Sequence, residues 1–71
     1  MDYGKIFAQN MRRIRLEKGY SQDELGEQSG LTRNYIGNIE RREKSPSLQS
    51  MSAIAGALDV SLPALLAQSD L

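Results

Sequence analysis

The sequence predicts an all-α fold of five short helices. No run of residues alternates apolar and polar side chains for long enough to form a strand, whereas apolar residues recur at helical spacing. Turn-forming residues divide the chain into segments of helical length. With 71 residues, the chain is near the lower end of what folds unaided. We therefore expect one domain that spans residues 1–71.

Helix 1 is predicted over residues 3–18, where apolar residues recur on one face. These residues are Tyr3, Phe7, Met11 and Ile14. Leu16 falls on the opposite face, away from the predicted core. Gly19 follows the helix and suits the left-handed conformation in which helices commonly end.

Helices 2 and 3 are each predicted from a hydroxyl N-cap. Ser21 forms a capping box with Glu24, and this pattern starts a helix over residues 22–28. Thr32 is the second hydroxyl cap, and the helix that it starts ends near residue 41. The two helices are therefore short and are separated only by a tight turn.

Helices 4 and 5 follow two further serine caps. Helix 4 begins after Ser47, covers residues 48–58 and has an apolar stripe made of Leu48, Met51, Ile54, Ala55 and Leu58. Helix 5 begins after Ser61 and has Pro63 in its first turn. Its apolar residues exceed what one helix edge needs for internal packing, and they are Leu62, Ala64, Leu65 and Leu66.

The composition excludes several classes of function. The chain has no cysteine and no histidine, which removes disulfides, the ordinary zinc ligands and histidine-based triads. The sequence also lacks a nucleophile–base pair and a phosphate-binding loop, so we expect no enzymatic activity, no metal and no other cofactor. No apolar run approaches the roughly 20 residues of a membrane span, and the N-terminus lacks a signal-peptide pattern. We expect a soluble cytoplasmic protein without a membrane partner.

The zero net charge hides an uneven distribution. All nine basic residues lie in residues 1–44 beside seven acidic ones, which leaves +2 there, whereas residues 45–71 carry only two acids. The local field matters more than the total charge when a partner contacts one face of a protein. The neutral total therefore does not exclude nucleic acid as a partner.

Residues 22–41 satisfy the steric pattern of a helix-turn-helix motif. Gly26 is small where helix 3 must cross helix 2, and Gly30 allows the positive φ of the turn. The apolar side chains that lock the two helices at a steep angle are Leu25, Ile36 and Ile39. A helix held in this way fits the major groove of DNA, which is roughly 12 Å wide.

The outward side chains of helix 3 suit that groove. Arg33 can donate to guanine O6 and N7, and Asn34 or Asn38 can pair with adenine N6 and N7. Thr32 can contact a thymine methyl or a phosphate, and Gln22 can reach a phosphate through its backbone or its side chain. The basic residues that suit the flanking DNA backbone are Arg41, Arg42 and Lys44. The alternative is that all these side chains form only a solvated helix face.

Three further residues, Arg15, Tyr35 and Glu40, are expected to lie at the edge of the core. Glu40 is an acid beside the core, and we expect Arg15 of helix 1 to pair with it; removing one partner of such a buried pair costs about 3–5 kcal/mol. Tyr35 can either pack against the core with a solvated hydroxyl or contact DNA directly. The sequence leaves both interpretations of Tyr35 open.

Four segments together resemble the lambda-repressor-like, or xenobiotic-response-element, helix-turn-helix family: residues 14–19 (IRLEKG), 21–25 (SQDEL), 31–36 (LTRNYI) and 39–41 (IER). Within the family, residues 14–19 (IRLEKG) and 32–41 (TRNYIGNIER) are most similar to the controller proteins of restriction–modification systems. The resemblance implies a transcription regulator that binds a palindromic operator in double-stranded DNA as a homodimer. It also implies operator contacts by Arg33, Asn34, Tyr35 and Asn38, an Arg15–Glu40 pair, and a dimer made by helix 5.

Three residues depart from the family pattern. Arg42 stands where glycine is usual after helix 3, and Ser29 replaces a commoner apolar residue before the turn. Gly26 replaces a commoner alanine, which costs about 1 kcal/mol of helix propensity. These departures lower the stability that we expect but leave the predicted fold unchanged.

Two features bear on protein partners. Asp23, Glu24 and Glu27 cap helix 2 and add solubility. The resemblance gives Asp23 and Glu27 a second interpretation, because activating phage repressors of this family contact RNA polymerase through acids at these positions. The leucines of helix 5 either pack internally or form an isologous dimer. We expect the dimer, through residues 61–71, because one short helix reads too few base pairs for useful affinity.

Two alternatives to a controller protein stay open. One is a phage repressor or Cro-like switch. The other is an antitoxin-type protein-interaction module that also binds its own promoter. A toxin-neutralising arm would need chain outside the five helices, and the sequence has little there, so the antitoxin alternative is disfavoured.

Overall fold

The structure of the chain, a computed structural model, describes residues 1–68. Within this range the elements are α1 (Tyr3–Glu17), α2 (Gln22–Ser29), α3 (Arg33–Glu40), α4 (Leu48–Ala57) and α5 (Leu62–Leu66), with no strand. The prediction of an all-α fold with five helices is confirmed. None of the helices in the described range is long and apolar enough to cross a membrane.

Each helix begins at a side-chain oxygen that accepts a backbone hydrogen bond: Asp2, Ser21, Thr32, Ser47 and Ser61. The backbone N–H of Lys5 holds the pKa of Asp2 below its ordinary value, and the backbone N–H of Ser21 does the same for the pKa of Glu24. Because both values are lowered, these carboxylates stabilise the fold above the ordinary carboxyl pKa of about 4. Their contribution is lost as the pH falls through the lowered values.

Left-handed residues end the first three helices. Gly19 and Gly30 both have φ 76°, as the sequence predicts. After α3 the same conformation is taken by Arg42, at φ 63°. The N–H of Glu43 then donates to the carbonyl oxygen of Asn38 at 2.8 Å, so the chain folds back against the end of α3. The turn therefore forms without the usual glycine, at a cost of about 1–2 kcal/mol.

One apolar core joins the five helices, and its largest fully buried side chains are Phe7, Met11, Leu25, Ile36, Ile39, Ile54, Leu58 and Leu65. Two residues of the predicted apolar stripes lie outside the core: Tyr3 is 57% exposed and Leu48 is 67% exposed. Each is the first residue of its helix. Contact with the core begins one turn later, at Phe7 in α1 and Met51 in α4, so those two predictions are wrong.

Asn10 joins α1 to the end of α5. Its side-chain amide donates to the carbonyl oxygens of Leu65 and Ala67, both at 2.9 Å, and the residue is buried. These bonds occupy carbonyl groups that have no partner within so short a helix. Asn10 therefore fixes α5 against α1, a role that no local sequence pattern predicts.

Candidate nucleic-acid interface

α2 packs tightly against the start of α3 at Gly26. A Cβ atom on Gly26 would lie 3.0 Å from the backbone nitrogen of Arg33 and 3.2 Å from the carbonyl oxygen of Leu31. The side chains that lock the crossing are all buried: Leu25, Ile36 and Ile39. This packing leaves the opposite face of α3 in solvent, as a helix-turn-helix motif requires.

The outward face of α3 carries polar side chains in a row. Arg33 and Asn34 are exposed, and Asn38 is partly exposed one turn further along. A cleft between this face and the start of α2 is lined by Gln22, Arg33, Asn34, Gly37 and Arg41. The oxygen of Thr32 accepts the N–H of Tyr35 at 3.0 Å, which leaves its methyl group and its O–H for a ligand. The face therefore offers several hydrogen-bond donors to one partner.

Glu40 is the centre of a buried network beneath this face. Arg15 donates to both of its oxygens, from Nε at 2.8 Å and from Nη2 at 3.0 Å, and the side chains of Arg15 and Glu40 are only 8% and 3% exposed. Arg15 Nη1 also donates to the carbonyl oxygen of Tyr20 at 2.8 Å, and Gln22 Nε2 donates to Glu40 Oε1 at 3.1 Å. The network connects α1, α2 and α3, so it holds the angle at which α3 stands.

The bond to Glu40 fixes the orientation of the Gln22 side-chain amide. A carboxylate only accepts hydrogen bonds, so the amide nitrogen of Gln22 must face Glu40. Its oxygen lies on the side of Gly37, 3.5 Å from where a Cβ of that glycine would be. Glu40 uses one hydrogen of the amide nitrogen, and the second hydrogen can still donate to a phosphate. The backbone N–H in the first turn of α2 stays suited to a phosphate.

The two arginines after α3 already have partners in the structure. Arg42 pairs with Asp2. Arg41 donates from Nη2 to Asn38 Oδ1 at 2.8 Å and from Nε to Glu43 Oε1 at 3.0 Å. A phosphate that bound either arginine would therefore compete with an intramolecular carboxylate.

Tyr35 packs against the core and is half-buried. Its hydroxyl donates to Ser50 Oγ of α4 at 3.2 Å. Of the two interpretations that the sequence leaves open, core packing describes the ring, but the hydroxyl is bonded to α4 instead of being only solvated.

The leucines of α5 divide into two groups. Leu65 is fully buried in the core of its own chain, so its expected place in a dimer interface is wrong because it has no surface to offer to a second copy. Leu62 and Leu66 are half-buried and pack on the outside of the core. The end of the expected dimer segment, residues 69–71, lies outside the described residues.

Comparison with known proteins identifies the family. The model of the Helix-turn-helix family matches residues 11–65. The chain belongs to this helix-turn-helix family. The resemblance of the four short segments to this family is confirmed. The features of a helix-turn-helix protein are present in the crossing of α2 and α3 and in the outward face of α3.

Several helix-turn-helix proteins are similar to the chain over most of its length. Control protein C.SmaI of Serratia marcescens is 42% identical over 71 residues, which are 100% of this chain and 84% of that protein. The restriction-modification controller protein C.AhdI from Aeromonas hydrophila superposes with a TM-score of 0.84 at 39% identity, over 87% of this chain and 94% of that one. SinR bound to DNA superposes with a TM-score of 0.80 at 39% identity, over 86% of this chain and 98% of that one. The chain spans 56% of the Bacillus subtilis SinR protein.

Proposed function

We propose that this chain is a sequence-specific transcription regulator that binds a palindromic DNA operator as a homodimer, and that it is the controller protein of a restriction–modification system. The observation that carries the proposal is the outward row of Arg33, Asn34 and the partly exposed Asn38 on a helix that is locked against α2. The proposed function involves no catalytic step and no cofactor. A cytoplasmic location stays a prediction.

Recognition would place α3 in the major groove. Arg33 at the start of the helix donates to a guanine, and Asn34 beside it pairs with an adenine. The backbone N–H of Gln22 at the start of α2 holds a phosphate, which fixes the orientation of the domain on the duplex. Because such contacts release counterions, the affinity for DNA falls steeply as the salt concentration rises.

The relatives support the controller assignment. C.SmaI is a control protein, C.AhdI is a restriction-modification controller protein, and SinR has been crystallised in complex with DNA. The chain matches the first two over 84% and 94% of their lengths, so the likeness to controller proteins is not confined to one segment.

Selection of DNA from a random pool tests the function directly. The purified chain should enrich one inverted repeat. Footprinting on that repeat should show symmetric protection of its two half-sites. If the protein retains DNA but enriches no particular sequence, the proposal is contradicted. A methyltransferase gene and an endonuclease gene beside the coding sequence would support the controller role.

A homodimer through the outer face of α5 follows from the need for two recognition helices. We expect Leu66→Asp to give a monomer in analytical ultracentrifugation and to lose operator binding, because a carboxylate in an apolar interface is strongly unfavourable. Leu16→Asp is the matched control, since Leu16 is 53% exposed on α1. Circular dichroism must show that both variants stay helical. A helical Leu66→Asp variant that remains dimeric would rule out this interface.

The acids of α2 supply a surface for RNA polymerase. Asp23 and Glu27 are exposed beside a face that would otherwise favour basic residues. We expect the double variant Asp23→Lys/Glu27→Lys to bind operator but to lose activation in an in vitro transcription assay. Full activation by that variant would show that the patch serves only capping and solubility.

A further inference from the structure

Arg41 lies back across the groove-facing side of α3. A Cβ on Gly37 would be 2.9 Å from Arg41 Nη1 and 3.6 Å from Cζ, so the guanidinium occupies the space that the glycine leaves open. Glu43 holds the side chain there by accepting from Nε at 3.0 Å. Glu43 itself is brought back to the helix end by the left-handed Arg42. Gly37, Arg41 and Glu43 therefore form one local arrangement.

This arrangement fixes the orientation of the Asn38 amide. Arg41 Nη2 lies 2.8 Å from Asn38 Oδ1. A guanidinium has no acceptor atom, so the group of Asn38 that meets it must be the oxygen. The amide nitrogen, with both of its hydrogens, is then the polar group that Asn38 presents to a ligand.

We propose that Arg41 is a specificity-positioning residue, which makes Asn38 a donor-only reader that selects guanine over adenine at one base pair of each half-site. The inference rests on the proposed DNA-binding function and refines it. Guanine offers two acceptors in the major groove, O6 and N7, and both suit the two hydrogens of the amide nitrogen. Adenine offers one acceptor and one donor, and would need the oxygen of Asn38 as well as its nitrogen.

Burial in the groove strengthens this preference. To pair with adenine, Asn38 would have to turn its oxygen to the base, and its nitrogen would then face the guanidinium of Arg41, donor against donor. In solution water can satisfy the groups left without partners, but in a closed interface an unsatisfied polar group is costly. Guanine leaves the bond between Arg41 and Asn38 intact. The sequence predicts that Asn34 or Asn38 pairs with adenine, whereas the bond to Arg41 favours guanine for Asn38.

The test measures the ratio of dissociation constants for operators that carry guanine or adenine at the base pair read by residue 38. Asn38→Ala first identifies that base pair as the one where discrimination disappears. The wild-type protein should then prefer guanine there by about fivefold or more. We expect Arg41→Met to shift the ratio towards adenine by about tenfold, because Asn38 can then rotate.

Two comparisons separate positioning from the loss of a charge. Arg42→Met removes the same charge from the next residue, which does not bond to Asn38, and it should weaken all operators alike. Gly37→Ala keeps the charge but displaces Arg41, so it should shift the ratio in the same direction as Arg41→Met. In an Asn38→Ala background, Arg41→Met should cause no further shift in the ratio.

Failure of this inference is distinct from failure of the proposed function. If the wild-type protein binds no sequence selectively, the function itself is wrong. If it binds selectively but Arg41→Met keeps the wild-type ratio, Arg41 does not position Asn38. A shift that persists in the Asn38→Ala background would show that Arg41 reads the base itself, and would equally overturn the inference.

Discussion

Glu40→Ala is expected to lower the free energy of unfolding by about 3–5 kcal/mol, because it leaves the buried charge of Arg15 without its carboxylate. In the wild-type protein the Arg15 guanidinium donates three hydrogen bonds, two to Glu40 and one to the carbonyl oxygen of Tyr20. In the variant only the acceptor at Tyr20 remains. A small domain has only about 5–15 kcal/mol of stability at best. The variant should therefore show a much lower midpoint in urea denaturation followed by circular dichroism.

Two variants control for this effect. Glu17→Ala breaks the pair between Arg13 and Glu17, whose side chains are 56% and 62% exposed, respectively. This change should lower the free energy of unfolding by less than about 1 kcal/mol. The double variant Arg15→Met/Glu40→Met removes both charges and should be more stable than Glu40→Ala. A Glu40→Ala protein within about 1 kcal/mol of wild type would show that the network does not hold the helices together.

Arg33→Ala is expected to weaken operator binding by about 2–6 kcal/mol, since a bidentate contact to guanine contributes about 1–3 kcal/mol and a symmetric operator contains it twice. Fluorescence anisotropy with a labelled operator measures this loss. Discrimination at one base pair of each half-site should disappear with it. Folding should be unchanged, because the side chain is exposed.

Arg12→Ala is the matched control for Arg33→Ala. Arg12 is also an exposed arginine, but it lies on α1, away from the cleft between α2 and α3. Its removal should reduce the affinity for all DNA sequences slightly and leave discrimination intact. If Arg33→Ala behaves in the same way as Arg12→Ala, the face of α3 is not the reading surface.

The helices of this chain could be predicted because their signals are local. Each serine or threonine cap precedes its helix by one residue, and Gly19 and Gly30 mark the ends of α1 and α2. The crossing at Gly26 could also be anticipated, since a helix-turn-helix motif fixes the spacing of its small and apolar residues.

Contacts between distant residues could not be predicted in the same way. Asn10 bonds to Leu65, 55 residues away along the chain, and no local pattern records that. In α5, helical spacing alone did not decide which leucine faces inward, and the structure assigns that position to Leu65. The orientation of Asn38 depends on Arg41 folding back, which requires both the space at Gly37 and the turn at Arg42.

In the proposed dimer, two copies of α3 enter successive major grooves of the operator. This geometry can be measured through the affinity for a series of operators that differ only in the separation of their half-sites. We expect the tightest binding when the half-site centres are about 10–10.5 base pairs apart, and a loss of more than about tenfold when roughly half a helical turn is inserted. Equal affinity at every separation would contradict this geometry.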